Sequence, residues 1–143
     1  GKSLIMNEIK WIYFGVFLNE VSKIRNLKAL QNNGIIIPDN WKMFNHHMTI
    51  AFNDGSERSQ ELYDAYSSFF GTTKKLTIDG IGISDDAIAV RVNYGNVLPI
   101  ANKIPHITIA TPPNGKPVNS NKITKWIDIE PYTVYGKLGH FAR

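Results

Sequence analysis

The sequence predicts a single domain of the α+β class. The run from Trp11 to Leu18 is rich in aromatic and β-branched residues, which is typical of a buried strand. Two later segments carry apolar residues at helical spacing, whereas most of the second half consists of short extended runs. A chain of 143 residues is long enough to bury a hydrophobic core without disulfides.

The first predicted helix follows this strand directly. Asn19 is its predicted N-cap, because a side-chain oxygen there can accept a hydrogen bond from the first turn, and Gly34 ends it. One apolar stripe is expected along the helix, formed by Val21, Ile24, Leu27 and Leu30.

The second predicted helix follows a loop at residues 38–40 and a strand over residues 47–52. Asp54 and Glu57 have the spacing of a capping box, which predicts a helix start. The helix ends at Gly71 and carries apolar residues at helical spacing. These are Leu62, Tyr63, Tyr66, Phe69 and Phe70.

The second half predicts a hairpin and two further strands. An extended run with Leu76, Ile78, Ile81 and Ile83 changes phase at Asp79 and Gly80, which indicates a β-bulge. A turn at residues 84–86 leads into a strand with Ile88, Val90 and Val92. The remaining predicted elements are a strand at residues 106–111, a loop at 112–121, a helical turn at 123–126 and a closing strand at 132–141.

The composition excludes several kinds of site. The chain has no cysteine, which excludes disulfides, thiolate metal sites and a cysteine nucleophile. The longest apolar run is far shorter than the ~20 residues of a membrane helix, and no leader precedes it, so we expect a cytoplasmic protein without a membrane segment. The net charge of +4 suits an anionic partner. Met6 is a candidate initiator, so the predicted domain covers residues 6–143, and residues 1–5 are an expression remnant or part of a longer native chain.

One short pattern occurs twice, as His47-Met48-Thr49-Ile50 and as His106-Ile107-Thr108-Ile109. Both copies lie in predicted strands, where successive side chains point to opposite faces. Each strand therefore has an apolar face for the core and a polar face with one imidazole and one hydroxyl. On the first strand, Ala51 is expected on the polar face and Phe52 on the apolar face.

This pairing suits chemistry on a phosphodiester. One imidazole can take a proton from the attacking oxygen while the other gives a proton to the leaving oxygen. Threonine hydroxyls can donate hydrogen bonds to the phosphate oxygens, where charge builds up in the transition state. The alternative is that both histidines are partly buried strand residues hydrogen-bonded to their own threonines.

The two motifs resemble those of the two-histidine (2H) phosphoesterase superfamily. The likeness runs from about Trp11 to Gly139 and is greatest to the branch of tRNA-ligase cyclic phosphodiesterases and phage enzymes that destroy cyclic-nucleotide signals. The segments that carry it are Tyr13-Phe14-Gly15-Val16-Phe17-Leu18, Phe44-Asn45-His46-His47-Met48-Thr49-Ile50-Ala51-Phe52, Asn102-Lys103-Ile104-Pro105-His106-Ile107-Thr108-Ile109-Ala110 and Lys116-Pro117-Val118-Asn119-Ser120-Asn121.

The resemblance implies an α+β fold of two pseudo-symmetric lobes, each an antiparallel sheet with flanking helices, around a central cleft. His47 and His106 would be catalytic, and Thr49 and Thr108 would bind substrate across this cleft. Only residues 93–105 separate the hairpin from the second motif, so the second lobe is expected to be trimmed and the cleft open.

The implied activity is a phosphodiesterase that needs no metal and no cofactor. The substrate stays open between an RNA or nucleotide 2′,3′-cyclic phosphate and a cyclic oligonucleotide second messenger, the target of phage anti-CBASS enzymes. A protein that only binds cyclic nucleotides or RNA ends is the alternative. No obligate protein partner is evident, and the oligomeric state is open.

Other residues have smaller predicted roles. Tyr13 and Phe14 on the first strand are candidates for stacking a base of the substrate, with core packing as the alternative. His46 is expected to pack or to bond within a loop, and His140 is expected on the surface. One or two lysines of the second half are expected near the cleft, where they would steer phosphate.

Overall fold

A computed structural model describes residues 10–94 and 103–143. The elements in these ranges are β1 (Trp11–Leu18), α1 (Glu20–Asn32), β2 (Lys42–Met43), β3 (His47–Phe52), α2 (Glu57–Ser67), β4 (Thr73–Ile83), β5 (Ile88–Asn93), β6 (His106–Thr111), a 3₁₀ helix (Pro117–Lys122) and β7 (Lys125–Ala142). None of these helices has the length and apolarity needed to span a membrane.

The described strands form one antiparallel sheet in the order β2-β6-β3-β1-β7-β4-β5. Because β5 also pairs with β6, six of the strands close into a barrel, and β2 extends the ladder beside β6. The predicted fold of two pseudo-symmetric α+β lobes around a central cleft is therefore wrong. The protein is mostly sheet, with two α-helices in its described part.

The long strand β7 is the physical reason that separate lobes do not form. It pairs with β4 over residues 125–137 and with β1 over residues 136–142, so it joins the two halves of the chain. The sequence predicts only residues 132–141 of this strand. Lys125 and Trp126, placed in a helical turn by the sequence, instead begin β7, and the helical turn lies earlier, at Pro117–Lys122.

The hairpin of β4 and β5 has the predicted turn and bulge. The pairing of β4 with both β5 and β7 changes register between Ile78 and Gly80 of β4, which confirms the predicted bulge. The prediction of a trimmed second lobe rests on the short connection from β5 to β6. Most of this connection, residues 95–102, lies outside the described residues.

Helix α1 starts as predicted, because the Asn19 side chain accepts a hydrogen bond from the backbone N–H of Ser22. The predicted apolar stripe, however, is largely exposed, and of its members only Leu30 is buried. The buried face carries Ser22 and Asn26 instead, which bond to β7 through Tyr135 and Tyr132. Polar anchoring therefore decides which face of this helix packs.

Helix α2 begins later than the capping-box pattern predicts. Ser56 is the N-cap and accepts from the N–H of Ser59, while Asp54 accepts from the N–H of Ser56 in the preceding turn. Leu62 and Tyr66 bury the predicted apolar face, but the helix ends at Ser67, four residues before the predicted end, and Gly71 lies in the turn that follows, with φ +91°. A positive φ is accessible to glycine without steric strain.

One face of each central strand forms the core. Phe14 and Val16 of β1, Met48 of β3, Ile107 of β6 and Leu138 of β7 are almost fully buried there. The other face of β1, β3 and β6 carries the polar and aromatic side chains of the candidate site.

Candidate active site

The side chains of both His-x-Thr motifs line one cavity of about 600 Å³. Met48 of β3 pairs with Ile107 of β6 in antiparallel register, and both point into the core. The residues on either side of each point the opposite way, into the cavity. The histidine of each motif thus lies toward the threonine of the other. The motifs meet on neighbouring strands of one sheet, not across a cleft between lobes.

His47 has an aromatic environment. Its ring stacks on Tyr13 with centroids 4.7 Å apart and planes 18° apart, and it also contacts Phe17. Burial, followed by charge repulsion from His46 and His106, lowers the pKa of His47 to about 4. The ring is therefore neutral at pH 7 and able to accept a proton.

His106 is fixed by its own backbone. Its Nδ1 lies 2.8 Å from the carbonyl oxygen of Ile104. Because a carbonyl oxygen only accepts, Nδ1 carries a proton and donates it, which leaves Nε2 for substrate. Burial lowers the pKa of His106, while the Ile104 carbonyl favours the charged ring and offsets part of that effect.

Thr108 is already engaged on the cavity wall. Its hydroxyl donates to the carbonyl of Pro117, 3.1 Å away, and lies 2.8 Å from the hydroxyl of Ser120. Both partners belong to the 3₁₀ helix, so this hydroxyl ties that helix to β6. To donate to a phosphate, Thr108 has to exchange its bond to Pro117 for one to the substrate.

A buried polar network holds the turn between β2 and β3. Asn45 has φ +61°, and its backbone N–H donates to the carbonyl of Thr108. Its side chain accepts from Asn26 and donates to the carbonyl of Lys23, while Tyr132 donates to Asn26. The network links the turn that precedes His47 to the backbone of Thr108 in the second motif. Nothing in the sequence indicates this network apart from the tolerance of asparagine for positive φ.

The two aromatic residues predicted to stack a base lie on opposite faces of β1. Tyr13 lines the cavity, but β1 lies between β3 and β7, and the Tyr13 ring is flanked by His47 on one side and Phe141 on the other. Phe14 is fully buried and packs against Trp11 and Tyr66. The structure therefore does not bring Phe14 to the cavity.

Several cavity residues are missing from the sequence prediction. A bulge between β1 and β3 turns Phe52 onto the cavity face and buries Ala51, which reverses their predicted orientations. His46 also lines the cavity, although the sequence favours packing or a loop hydrogen bond over contact with substrate. The other lining residues are Lys42, Met43, Phe44, Lys116, Pro117, Val118 and Asn121.

Two further features bear on the chemistry. Within residues 10–94 and 103–143, no group of three or more His, Cys, Asp or Glu side chains is placed to hold a metal ion. His140 is exposed, as predicted, its Nδ1 lies 2.8 Å from the hydroxyl of Tyr63, and it is not among the residues that line the cavity.

The sequence matches a family of phosphodiesterase domains. The family model described as the fungal tRNA ligase phosphodiesterase domain matches residues 37–133, which include both His-x-Thr motifs. The chain belongs to this family, and the resemblance to 2H phosphoesterases is confirmed.

The structural comparison supports the fold. A crystal structure of a fungal RNA kinase is similar, with a TM-score of 0.56 and 16% sequence identity. The match covers 90% of this chain and 41% of that chain, so this protein corresponds to less than half of the fungal structure. No curated protein sequence matches the chain.

Proposed function

We propose that the protein hydrolyses a cyclic phosphodiester at a nucleotide or RNA end, with His47 and His106 transferring the protons. The observation that carries this proposal is the convergence of both His-x-Thr motifs in one cavity of a chain from a phosphodiesterase family. A protein that only binds the ligand does not require a matched pair of imidazoles.

In the proposed reaction, water attacks phosphorus and one ribose oxygen leaves. His47 accepts the proton of the water as its oxygen bonds to phosphorus. His106 donates a proton from Nε2 to the ribose oxygen as the bond between phosphorus and that oxygen breaks. The product is a phosphomonoester next to a free hydroxyl.

The assignment of base and acid follows from the two environments. The low pKa of His47 keeps it neutral at pH 7, as a base must be. His106 donates Nδ1–H to Ile104, and this bond stabilises the imidazolium needed by an acid. The bound phosphate, as a nearby anion, raises both pKa values and charges His106.

Lysine side chains supply positive charge at the cavity. Lys42 and Lys116 both line it, and the Lys42 ammonium lies 5.2 Å from the centre of the Phe44 ring. Neither forms an ion pair with a described residue. They can therefore balance the phosphate charge while Thr49 and Thr108 donate to its oxygens.

The proposal is tested with a panel of substrates. Nucleoside 2′,3′-cyclic phosphates, a short RNA with a 2′,3′-cyclic phosphate end and cyclic oligonucleotides are incubated with the protein, and products are separated by chromatography. We expect conversion of the 2′,3′-cyclic phosphates to monoesters. Cleavage of cyclic oligonucleotides alone would assign the same site to a signalling nucleotide, and no conversion of any member would contradict the proposal.

A further inference from the structure

The sheet face that carries His47 continues beyond the cavity across β1, β7 and β4. In the pairing register, His47 lies beside Phe17, Phe17 beside Lys137, and Lys137 beside Thr73. Neighbouring strands are about 4.8 Å apart, which places Lys137 two strands, or roughly 10 Å, from His47. This row leads from the catalytic cavity onto open surface.

Aromatic rings cover the part of this face nearest the cavity. Tyr13, Gly15 and Phe17 follow one another on this face of β1. The rings of Tyr13 and Phe17 stack over Gly15, with centroids 6.0 Å apart. A Cβ atom at Gly139 would lie 3.5 Å from the Phe17 ring, so that ring rests over the glycine. Phe141 stacks beside Tyr13 and is still 43% exposed.

The outer part of the face is positively charged. Lys75 and Lys137 are exposed and form no ion pair with any described residue. Tyr135, paired with Lys75, is 38% exposed. The remaining outward positions of this face in β1, in residues 73–77 and in residues 133–141 are glycine, threonine or aromatic, and none is acidic.

Exposed aromatic rings beside unpaired lysines are the features that bind single-stranded nucleic acid. Bases stack on the rings, and lysines follow the backbone phosphates. We infer that this face, which we call the β7 platform and define by Phe17, Lys75, Tyr135, Lys137 and Phe141, binds the RNA nucleotides that precede the reactive phosphate. The inference rests on the proposed function and narrows its substrate to a single-stranded RNA end.

The test compares two substrates that differ only in length. One is a nucleoside 2′,3′-cyclic phosphate, and the other is a single-stranded RNA hexamer with the same terminal group. The wild-type protein is expected to show a kcat/KM at least tenfold higher for the hexamer, mainly through a lower KM. In the double variant Lys75→Glu/Lys137→Glu, the ratio of the two kcat/KM values should fall about tenfold, with a weaker dependence on salt.

Two further variants make the test specific. Phe141→Leu should lower the same ratio about tenfold, because it removes a stacking ring without changing charge. Lys28→Glu/Arg58→Glu is the matched control, since both residues are exposed cations on α1 and α2 and the pair makes the same change of net charge outside the platform. Equal ratios for the wild-type protein and the platform double variant, or an equal fall of the ratio in Lys28→Glu/Arg58→Glu, would overturn the inference.

Binding without turnover separates this inference from the proposed function. A fluorescently labelled hexamer is titrated with His47→Ala protein and with the same variant carrying Lys75→Glu/Lys137→Glu, and anisotropy is measured. We expect the added substitutions to weaken binding at least tenfold. If the hexamer binds equally to both proteins, the platform assignment fails even if hydrolysis is observed. If it binds as expected but no substrate is hydrolysed, only the proposed function fails.

Discussion

The ring of Tyr13 lies parallel to the imidazole of His47, 4.7 Å away, and covers one side of it. Burial is the largest cause of the low pKa of His47, and Tyr13 supplies part of that burial. Phe141 stacks on the other side of Tyr13, with ring centroids 5.5 Å apart. The arrangement makes Tyr13 a positioning residue for His47.

Removing the Tyr13 ring should raise the pKa of His47. In Tyr13→Ala, water reaches the imidazole, so its pKa moves from about 4 toward 6.5, whereas Tyr13→Phe keeps the stack and the low pKa. NMR titration of the imidazole C–H resonances measures both values. An unchanged pKa in Tyr13→Ala would show that other groups cause the shift.

The neutral His47 should make folding stability depend on pH. Its pKa is about 4 in the folded protein and 6.5 in the unfolded chain, so between these values the unfolded chain binds more protons. The free energy of unfolding should therefore fall as pH decreases from 6.5 to 4, by about 3 kcal/mol from this group. In His47→Gln this contribution is absent. Urea unfolding across this range compares the two proteins, and parallel curves would contradict the expectation.

The hydroxyl of Thr108 should contribute more to catalysis than the hydroxyl of Ser120, to which it is hydrogen-bonded. Thr108→Val removes the proposed donor to the phosphate and should lower kcat by ~10²–10³-fold. Ser120→Ala removes the hydrogen bond between the Ser120 and Thr108 hydroxyls but keeps Thr108, and it should lower kcat far less. Both should destabilise the fold by about 1 kcal/mol, measured by thermal unfolding. Equal losses of kcat would indicate that Thr108 acts only by holding the 3₁₀ helix.

Activity should persist in EDTA. In the proposed mechanism, imidazoles move the protons and hydroxyl and ammonium groups stabilise the charge, so no step needs a divalent ion. The initial rate in excess EDTA should match that in its absence. Loss of activity that zinc, manganese or magnesium restores would contradict this mechanism.

Local features of this chain follow from its sequence because short-range chemistry determines them. The Asn19 cap, the bulge after Ile78 and the strands of both His-x-Thr motifs depend on residues near one another in the chain. The sequence correctly predicts which side chains of β3 face the cavity and which face the core as far as Thr49. Beyond it, the bulge opposite Phe14 and Gly15 moves Phe52 to the cavity, and the bulge depends on pairing with another strand.

Closure of the barrel is not visible in local patterns. It depends on pairing of β5 with β6 and on a strand β7 long enough to join both halves, which are contacts between distant residues. The packing face of α1 is similarly decided by partners elsewhere, because Asn26 bonds to Asn45 and Tyr132. These contacts outweigh the apolar stripe that the helix shows by itself.

Replacement of each histidine tests the central claim most directly. The measurement is the single-turnover rate of opening of a 2′,3′-cyclic phosphate by the wild-type protein, His47→Ala, His106→Ala and the double variant, with folding checked by circular dichroism. Each single replacement should lower the rate ~10²–10⁴-fold, and the double variant should lose less than the product, because both residues act on one phosphate. Folded single variants that retain the wild-type rate would show that His47 and His106 do not carry the protons.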